Sequence, residues 1–339
     1  MFLLNSKSRQ VRAGFTLIEL LVTIAIIGII ATLAIISLSG SRFKAEDSKR
    51  LANLRSLSTS LELYYANNNE YPSSLTVGEP LIDSNDNIYL SSVPSTAWSG
   101  GSGYSEEYGY ASGGGEYALF TYLSQDGPYL QSARGNFKPI HWFNFEEQTA
   151  SITSLGTVGG NTKLWYGSGP RYGQGKVGNY AASFNGTNDY LHGGAQAPTL
   201  TEVTLTAWIY PTDVASLRNI VGGQYNPSNT FRYPAVQSGA FFFHTGASYL
   251  STGPSTVFAN QWQHIAITSH LITKEMKIYL NGTIRFDGIA STYSGGYVPA
   301  YIGTVDGTQR MFQGRIDDIQ IYDSILSEIE IRAIYEAAQ

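Results

Sequence analysis

Glu19 is the residue whose chemistry most needs a partner, because it lies four positions beyond Phe15 in a run that is otherwise almost entirely apolar as far as Leu38. An acid inside a membrane-spanning segment costs about 2.5 to 3.5 kcal/mol on insertion scales, so a nearby cation is expected. The amino group of a chain that begins at Phe15 would supply that cation. Glu19 is therefore predicted to be functional or paired.

Other chemistry-bearing residues are sparse or unfavourably spaced. The chain has no cysteine, which excludes disulfides, thiolate metal sites and cysteine nucleophiles. Its five histidines show no HExxH or similar spacing, so zinc is not expected. Between residues 138 and 325 no glutamate is followed two positions later by an acid, the arrangement that would suit a retaining glycosidase. The sequence therefore predicts a protein that is not an enzyme, although acids on separate strands could still converge.

Composition and charge narrow the function classes further. The 339 residues suffice for two domains, and the content of 24 Tyr, 36 Gly and 14% charged residues favours β-rich modules with many turns. The formal net charge is −5, and the excess of basic residues is confined to residues 1–14. Nucleic-acid binding is not expected, because it requires a basic surface.

A long helix must position Glu19. Residues 15–38 would span roughly 36 Å as a helix, more than the hydrocarbon core of about 30 Å. Lys7, Arg9 and Arg12 precede this run without a compensating acid. The positive-inside rule therefore predicts a single-pass precursor with its N-terminus in the cytoplasm and its C-terminus outside. A conventional cleaved signal peptide is the alternative, but the helical pattern continues where its cleavage site would lie.

The same helix is predicted to continue to residue 67. Apolar residues recur at spacings of three and four beyond the membrane run, and no proline occurs before Pro72. This stripe is formed by Leu51, Leu54, Leu57, Leu61 and Tyr64. One rod would therefore anchor in lipid with its first half and pack against a domain with its second half.

The first 70 residues resemble the type IV pilin and pseudopilin family. The basic leader, Gly14 before Phe15 and the sequence FTLIELLV carry the resemblance. It implies that prepilin peptidase cuts between Gly14 and Phe15 and methylates the new amine, and that Glu19 neutralises the amine of a neighbouring subunit during filament assembly. The proline found near the middle of this helix in many pilins is absent here.

Residues 68–137 are predicted to form a small β region and linker with two or three short strands. Tyrosines, glycines and the pairs Tyr71-Pro72 and Val93-Pro94 occur in this segment. They look similar to the major pseudopilin of type II secretion, in which a small antiparallel sheet packs on the helix stripe. A glycine-rich linker is the alternative.

Residues 138–339 are predicted to be an all-β domain that ends in a short helix. Apolar residues alternate along residues 203–209 and 276–280, as expected for half-buried antiparallel strands. Near the C-terminus, Ser327 and Glu330 have the spacing of a capping box, and Leu326 with Ile331 that of a hydrophobic staple. The helix should end near Ala337.

Eight sequence blocks in this region resemble, in order, the laminin G-like, concanavalin A-like jelly roll. They are residues 141–147, 175–178, 183–186, 188–191, 206–209, 262–266, 278–282 and 314–322. The resemblance implies a two-sheet sandwich whose first and last strands lie together, and a role in binding glycans or proteins. The fold class predicted for the whole chain is α+β multidomain: a leader at 1–14, a pilin helix at 15–67, the small β region at 68–137 and the jelly roll at 138–339.

Glu147 and Asp317 are candidate ligands of a structural calcium ion. If Phe143 and Phe145 face the core, strand alternation turns Glu147 towards the core as well. In the same way, if Ile319 and Ile321 face the core, Asp317 does too. In the superfamily that this region resembles, these two strands are neighbours, so the two carboxylates could lie close together. Carboxylate oxygens are ligands that calcium prefers. Hydrogen bonding of the buried acid to backbone or to Arg315 is the equally weighted alternative.

These features together predict a pilin-like filament subunit, minor in abundance, that displays a lectin-like module for adhesion to glycans or proteins. Its expected partners are prepilin peptidase, other pilin or pseudopilin subunits, the inner-membrane assembly platform and a glycan or surface-protein ligand. The expected location is the inner membrane before assembly and an extracellular or envelope filament afterwards. The alternatives are a secretion pseudopilin with a cargo-recognising head and a filament-tethered glycoside hydrolase. The ligand-binding residues are not predicted. Some aromatic residues of the module could stack on sugar rings, although an aromatic residue in a β-sandwich more often belongs to the core; they are Trp165, Tyr166, Tyr225, Phe231 and Tyr233.

Overall fold

The computed structural model describes residues 17–95, 108–124, 126–158, 162–193, 200–222, 232–245, 249–290 and 300–339. A helix comes first, and a small sheet and a large sandwich follow it. The predicted α+β multidomain architecture is confirmed.

Helix α1 spans Leu17–Asn68, which confirms the single continuous helix predicted from the sequence. Its C-terminal half buries Leu54, Leu57 and Leu61 completely, because their spacing of three and four places them on one face. The apolar residues from Leu17 to Ile30 are exposed. Among the described residues, no helix meets the combined length and hydropathy of a membrane span.

Two small sheets follow the helix, so the segment holds more strands than the two or three predicted. A two-stranded ribbon pairs β1 (Leu81–Ile82) with β2 (Ile88–Leu90). A four-stranded meander contains β3 (Gly109–Gly113), β4 (Glu116–Leu123), β5 (Gly127–Ser132) and β6 (Gly135–Phe137). Tyr117 and Leu119 of β4 join the leucine stripe of α1 in one apolar cluster. We call this meander the pilin sheet.

The main sheet of the sandwich has eight strands. Its order is β10-β11-β23-β13-β19-β20-β21, and β7 also pairs with β23, so the first and last strands lie together as expected. The strands are β7 (His141–Phe143), β10 (Tyr172–Gln174), β11 (Tyr180–Asn185), β13 (Glu202–Pro211), β19 (Gln263–His270), β20 (Glu275–Leu280), β21 (Thr283–Ile289) and β23 (Gln313–Tyr322).

Two smaller antiparallel sheets supply the rest of the sandwich. One has the order β15-β22-β12-β9-β8 and the other β14-β16-β17-β18. The strands are β8 (Ser151–Thr153), β9 (Thr162–Tyr166), β12 (Tyr190–His192), β14 (Arg218–Asn219), β15 (Val221–Gly222), β16 (Arg232–Gln237), β17 (Ala240–Thr245), β18 (Tyr249–Ser251) and β22 (Tyr301–Ile302). One apolar core joins all three sheets, with Ile319 from the main sheet and Leu191 and Phe243 from the smaller ones.

The predicted face of β13 is confirmed, but the prediction of a half-buried strand is wrong. Val203, Leu205, Ala207 and Ile209 all lie in the sandwich core. Their neighbours on the opposite face are buried as well. The reason is that the outer face of the main sheet is covered by the C-terminal helix and by the pilin sheet, whose side chains share one cluster with Trp208.

Helix α2 (Glu328–Glu336) is capped as predicted. The Ser327 hydroxyl accepts a hydrogen bond from the Glu330 amide, and the Glu330 carboxylate accepts one from the Ser327 amide. The same carboxylate accepts hydrogen bonds from Ser132 (2.7 Å) and Arg134 (2.8 Å), both beside the pilin sheet's last hairpin. The helix lies so close to β3 that a Cβ atom at Gly109 would be 1.9 Å from the Ala333 carbonyl oxygen. Helix α2, which follows the last strand of the sandwich, thus packs against the pilin sheet and completes it.

The buried carboxylate of Asp318 also joins the pilin sheet to the sandwich. Asp318 accepts hydrogen bonds from the Tyr122 hydroxyl of β4 (2.6 Å), the Trp142 indole of β7 (2.7 Å) and the Gln320 amide (2.7 Å). The register between β13 and β23 shifts at this point, and Asp318 has a φ of 48°, as at a β-bulge. The bulge therefore turns the Asp318 side chain towards the pilin sheet.

Candidate functional site

The residues predicted to drive processing and assembly lie at the N-terminus. Gly14 and Phe15 fall outside the described residues. Glu19 lies exposed in the first turn of α1, where a negative charge interacts favourably with the helix dipole. It is surrounded on the helix by exposed Leu17, Ile18 and Leu20. A carboxylate in such a setting suits contact with a cation on another molecule.

The structure does not bring Glu147 and Asp317 together as strand alternation predicted. Strand β7 ends at Phe143, and Phe145 has a φ of 60°, so the alternation breaks and Glu147 is exposed. The prediction that Glu147 faces the core is therefore wrong. Its neighbour Glu146 instead accepts hydrogen bonds from the Asn179 and Tyr180 amides, each at 2.9 Å.

Asp317 is fully buried, and the backbone satisfies its carboxylate. One oxygen accepts hydrogen bonds from the Lys176 amide (2.8 Å) and the Val177 amide (3.0 Å), and the other from the Asp318 amide (2.8 Å). Burial raises the pKa of Asp317 well above its ordinary value. Donors pointing at both oxygens do not suit a cation shared with Glu147. This is the alternative left open above, hydrogen bonding to backbone.

A structural calcium ion held by Glu147 and Asp317 stays an untested hypothesis. Within the described residues, no group of three or more acidic or histidine side chains is placed to hold a metal ion. If Glu147 and Asp317 held a structural ion, a chelator would lower the melting temperature. Because backbone amides already donate to both Asp317 oxygens and Glu147 is exposed, we expect no change in melting temperature on adding EDTA to the purified full-length protein, measured by differential scanning calorimetry. A drop of several degrees that added calcium reverses would contradict this expectation.

A cluster of aromatic rings covers the outer face of the β15-β22-β12-β9-β8 sheet. Tyr166 of β9 stacks on Tyr190 of β12, with ring centroids 5.0 Å apart and planes 3° from parallel. His192 of β12 stacks on Tyr301 of β22, with centroids 4.2 Å apart. Tyr166 and His192 are 5.9 Å apart, and Tyr190 and Tyr301 are 6.1 Å apart, both as diagonal neighbours on adjacent strands. Each ring therefore lies beside two others, and we call the cluster of four rings the aromatic patch.

Strand register explains the aromatic patch. Tyr166 pairs with Tyr190, and His192 pairs with Tyr301, so cross-strand neighbours supply each stacked pair. The intervening Leu191 and Ile302 point the other way and are fully buried in the sandwich core. Tyr166 is 40% exposed, and the other three rings are partly exposed. The patch is thus an open surface whose ring positions are fixed by the sheet.

Sequence reasoning considered Tyr166 as a sugar-stacking residue and missed the other three. Of the further aromatic residues it considered, Trp165 points inwards and packs on Phe184, with ring centroids 5.3 Å apart. Tyr225 and Phe231 lie outside the described residues, and only the backbone of Tyr233 is described. The signal for Tyr190 and His192 was alternation around Leu191, which separates an inward residue from two outward ones.

Two family models match the chain. Residues 9–35 match the prokaryotic N-terminal methylation motif, which includes Gly14, Phe15 and Glu19. Residues 184–332 match the concanavalin A-like lectin/glucanase superfamily. Both resemblances inferred from the sequence are therefore confirmed.

Curated relatives decide the family. The type II secretion system core protein G of Aeromonas hydrophila is 31% identical over 102 residues, which cover 27% of this chain and 70% of that protein. The chain belongs to the type II secretion system core protein G family.

Other core protein G relatives match shorter or longer segments. The protein of Pectobacterium carotovorum is 41% identical over 61 residues, 18% of this chain and 39% of that protein. That of Vibrio cholerae is 29% identical over 132 residues, 36% of this chain and 86% of that protein. The chain thus spans between 39% and 86% of these relatives, and most of its own length lies outside the matched regions.

Solved structures with low sequence identity also resemble the chain. Domain 4 of an extracellular arabinanase from Geobacillus stearothermophilus, in complex with arabinotriose, has a TM-score of 0.45 at 18% identity and covers 60% of this chain and 99% of that one. The binding domain of Paraclostridial Mosquitocidal Protein 1 has a TM-score of 0.48 at 17% identity and covers 58% of this chain and 52% of that one.

Proposed function

We propose that the protein is a minor filament subunit that displays its sandwich as a binding module for glycans or surface proteins. The observation that carries the proposal is the combination of an exposed apolar half-helix bearing Glu19 with a sandwich fixed to the other half of the subunit. The first feature suits packing among sibling helices. The second suits presentation of a module at the filament surface or tip.

The route to the filament follows from the N-terminal motif. A precursor would insert in the inner membrane with its N-terminus inside, and prepilin peptidase would remove residues 1–14 between Gly14 and Phe15. Glu19 would then neutralise the new amine of a neighbouring subunit as the assembly platform extracts it from the membrane. The filament would be extracellular or confined to the envelope.

The proposed role is binding rather than catalysis. Both matched families suit a structural and binding protein, and no glutamate between residues 138 and 325 is followed two positions later by an acid. Release of reducing sugars from polysaccharides by the purified protein would instead favour a filament-tethered glycoside hydrolase.

The core protein G relatives favour a second candidate, a secretion pseudopilin whose large head recognises exported cargo. The two candidates differ in where the head is found. A membrane-impermeant label applied to intact cells would reach the head of a surface filament but not one held inside the envelope.

Substituting Gly14 tests the route that both candidates share. Gly14→Val is expected to leave an uncleaved precursor in the membrane, because the peptidase must accommodate the residue before Phe15. Immunoblotting of membrane and filament fractions measures this, and the matched control is Gly28→Val, where a Cβ atom meets nothing within 4 Å. A product of mature size from Gly14→Val would refute the processing route.

A further inference from the structure

We propose that the aromatic patch of Tyr166, Tyr190, His192 and Tyr301 is a binding surface for an uncharged carbohydrate chain. This inference rests on the proposed function, because it assigns a ligand class and a location to the displayed module. The patch lies on the outer face of a sheet whose inner face forms the sandwich core. Ligand contact there would leave the fold undisturbed.

The first argument is the amphipathic character of the four rings. The rings stack on one another and are partly exposed, while among the described residues the three phenol hydroxyls and the imidazole nitrogens of His192 make no hydrogen bond to another protein group. Sugars match this pattern, because a pyranose or furanose ring has an apolar C–H face and a rim of hydroxyls. Aromatic rings with polar tips therefore suit a sugar better than they suit a purely aliphatic ligand.

The second argument is charge. Burial and the nearby Lys163 ammonium lower the pKa of His192 below its ordinary value, which favours the neutral ring at pH 7. Lys163 itself is buried with its ammonium donating to the Gly193 carbonyl oxygen, so the ammonium is not exposed for direct contact with a ligand on the patch. Asp306 is the acid whose charge acts on Tyr301. A patch of neutral rings bordered by an acid disfavours a polyanionic ligand.

The third argument is a preformed polar rim. The loop after β22 places Gly307, with a φ of 84°, against the Tyr190 ring, where a Cβ atom would be 3.2 Å from the ring carbon Cζ. Asp306 accepts hydrogen bonds from Thr308 and Gln309, and Thr304 bonds to both Gly307 and Gln309. These bonds order the loop in which the exposed Thr308 and Gln309 follow Gly307, the residue that lies against the Tyr190 ring. A ligand would therefore meet ordered rings and an ordered hydrogen-bonding edge at little entropic cost.

Binding of defined oligosaccharides to the detergent-solubilised full-length protein tests the proposal. The probes are cellotetraose, chitotetraose and arabinotriose as uncharged chains, and a heparin-derived tetrasaccharide as the anionic one. Saturation-transfer NMR detects contact, and calorimetric titration gives the affinity. The variants are Tyr166→Ala and Tyr190→Ala. The matched control is Tyr249→Ala, which removes a tyrosine that is 63% exposed on β18 of the other small sheet.

We expect at least one uncharged probe to bind, and each patch variant to weaken that binding about tenfold or more, while Tyr249→Ala leaves it unchanged. Melting temperatures of all variants confirm that the fold is intact. Absence of binding to every uncharged probe, equal binding by the patch variants, or preference for the anionic probe would each overturn the proposal. The proposal would also be overturned if an aliphatic peptide or a second copy of the chain bound the patch and no sugar did.

Processing and filament incorporation are measured separately on the same variants. Tyr166→Ala is expected to be cleaved and incorporated normally. Failure of sugar binding with normal incorporation overturns the patch alone, whereas failure of the wild-type chain to enter filaments overturns the proposed function.

Discussion

Replacing Asp318 with alanine is expected to lower the free energy of unfolding by about 3 to 5 kcal/mol, the range seen when one partner of a buried charged network is removed. The substitution leaves the Tyr122 hydroxyl, the Trp142 indole and the Gln320 amide without their acceptor in a site that is closed to solvent. Because the donors come from both domains, the sandwich should also loosen from the pilin sheet. Chemical denaturation followed by tryptophan fluorescence measures the first effect, and limited proteolysis the second.

Asp318→Asn is the matched control, since it keeps one acceptor oxygen and the shape of the side chain. It should cost less than the alanine variant. An alanine variant as stable as the wild type would show that the network does not hold the domains together.

The asparagine variant also reveals how Asp318 responds to pH. Burial raises the pKa of Asp318 to about 6 in the folded protein, although its three donors oppose the rise. The folded state therefore retains a proton that the unfolded chain has already lost, so stability from this group is present below about pH 4 and is lost as pH rises to about 6. Relative to Asp318→Asn, the wild type should become less stable across that interval. A difference between the two proteins that does not vary with pH would contradict this.

Glu19→Gln is expected to reduce incorporation into filaments by a hundredfold or more while leaving insertion and cleavage of the precursor intact. Removing the charge removes the partner of a neighbouring subunit's amine, and in a low-dielectric environment an unpaired amine costs several kcal/mol. Quantitative immunoblotting measures the ratio of the subunit in sheared filaments to that in the membrane fraction. A hundredfold change in this ratio corresponds to a loss of about 2.7 kcal/mol in the free energy of incorporation.

Two variants control for general damage to the helix. Glu62→Gln changes an exposed acid on the same helix and should assemble normally, while Glu19→Asp keeps the charge and should assemble in part. Normal incorporation of Glu19→Gln would remove the basis for a role of Glu19 in assembly.

Local patterns in the sequence were sufficient to predict several elements. The spacing of Leu54, Leu57 and Leu61 predicted the packed face of α1, and Ser327 with Glu330 predicted the start of α2. These signals involve residues within one or two helical turns of one another. The alternation along β13 likewise predicted which side chains enter the sandwich core.

What the sequence did not reveal depends on contacts between distant segments. Asp318 meets Tyr122 across 196 positions, and only the bulge in β23 turns its side chain in that direction. The rings of Tyr166 and Tyr301 belong to one patch because β12 lies between β9 and β22 and contributes Tyr190 and His192, a strand order that composition does not encode. Glu147 was misplaced because the alternation of β7 was extended past Phe143, where the strand ends.

The packing of α2 on the pilin sheet limits how the sandwich, the head of the subunit, can be replaced by another domain. Gly109 and the hairpin bearing Ser132 are shaped around a helix that is translated some 200 residues later. A chimera cut after residue 137 would strip this cover from the pilin sheet and bare its apolar side chains. Successful transplantation of a new head therefore requires either retention of the last dozen residues at its far end or a recoded, polar surface on β3 and β4.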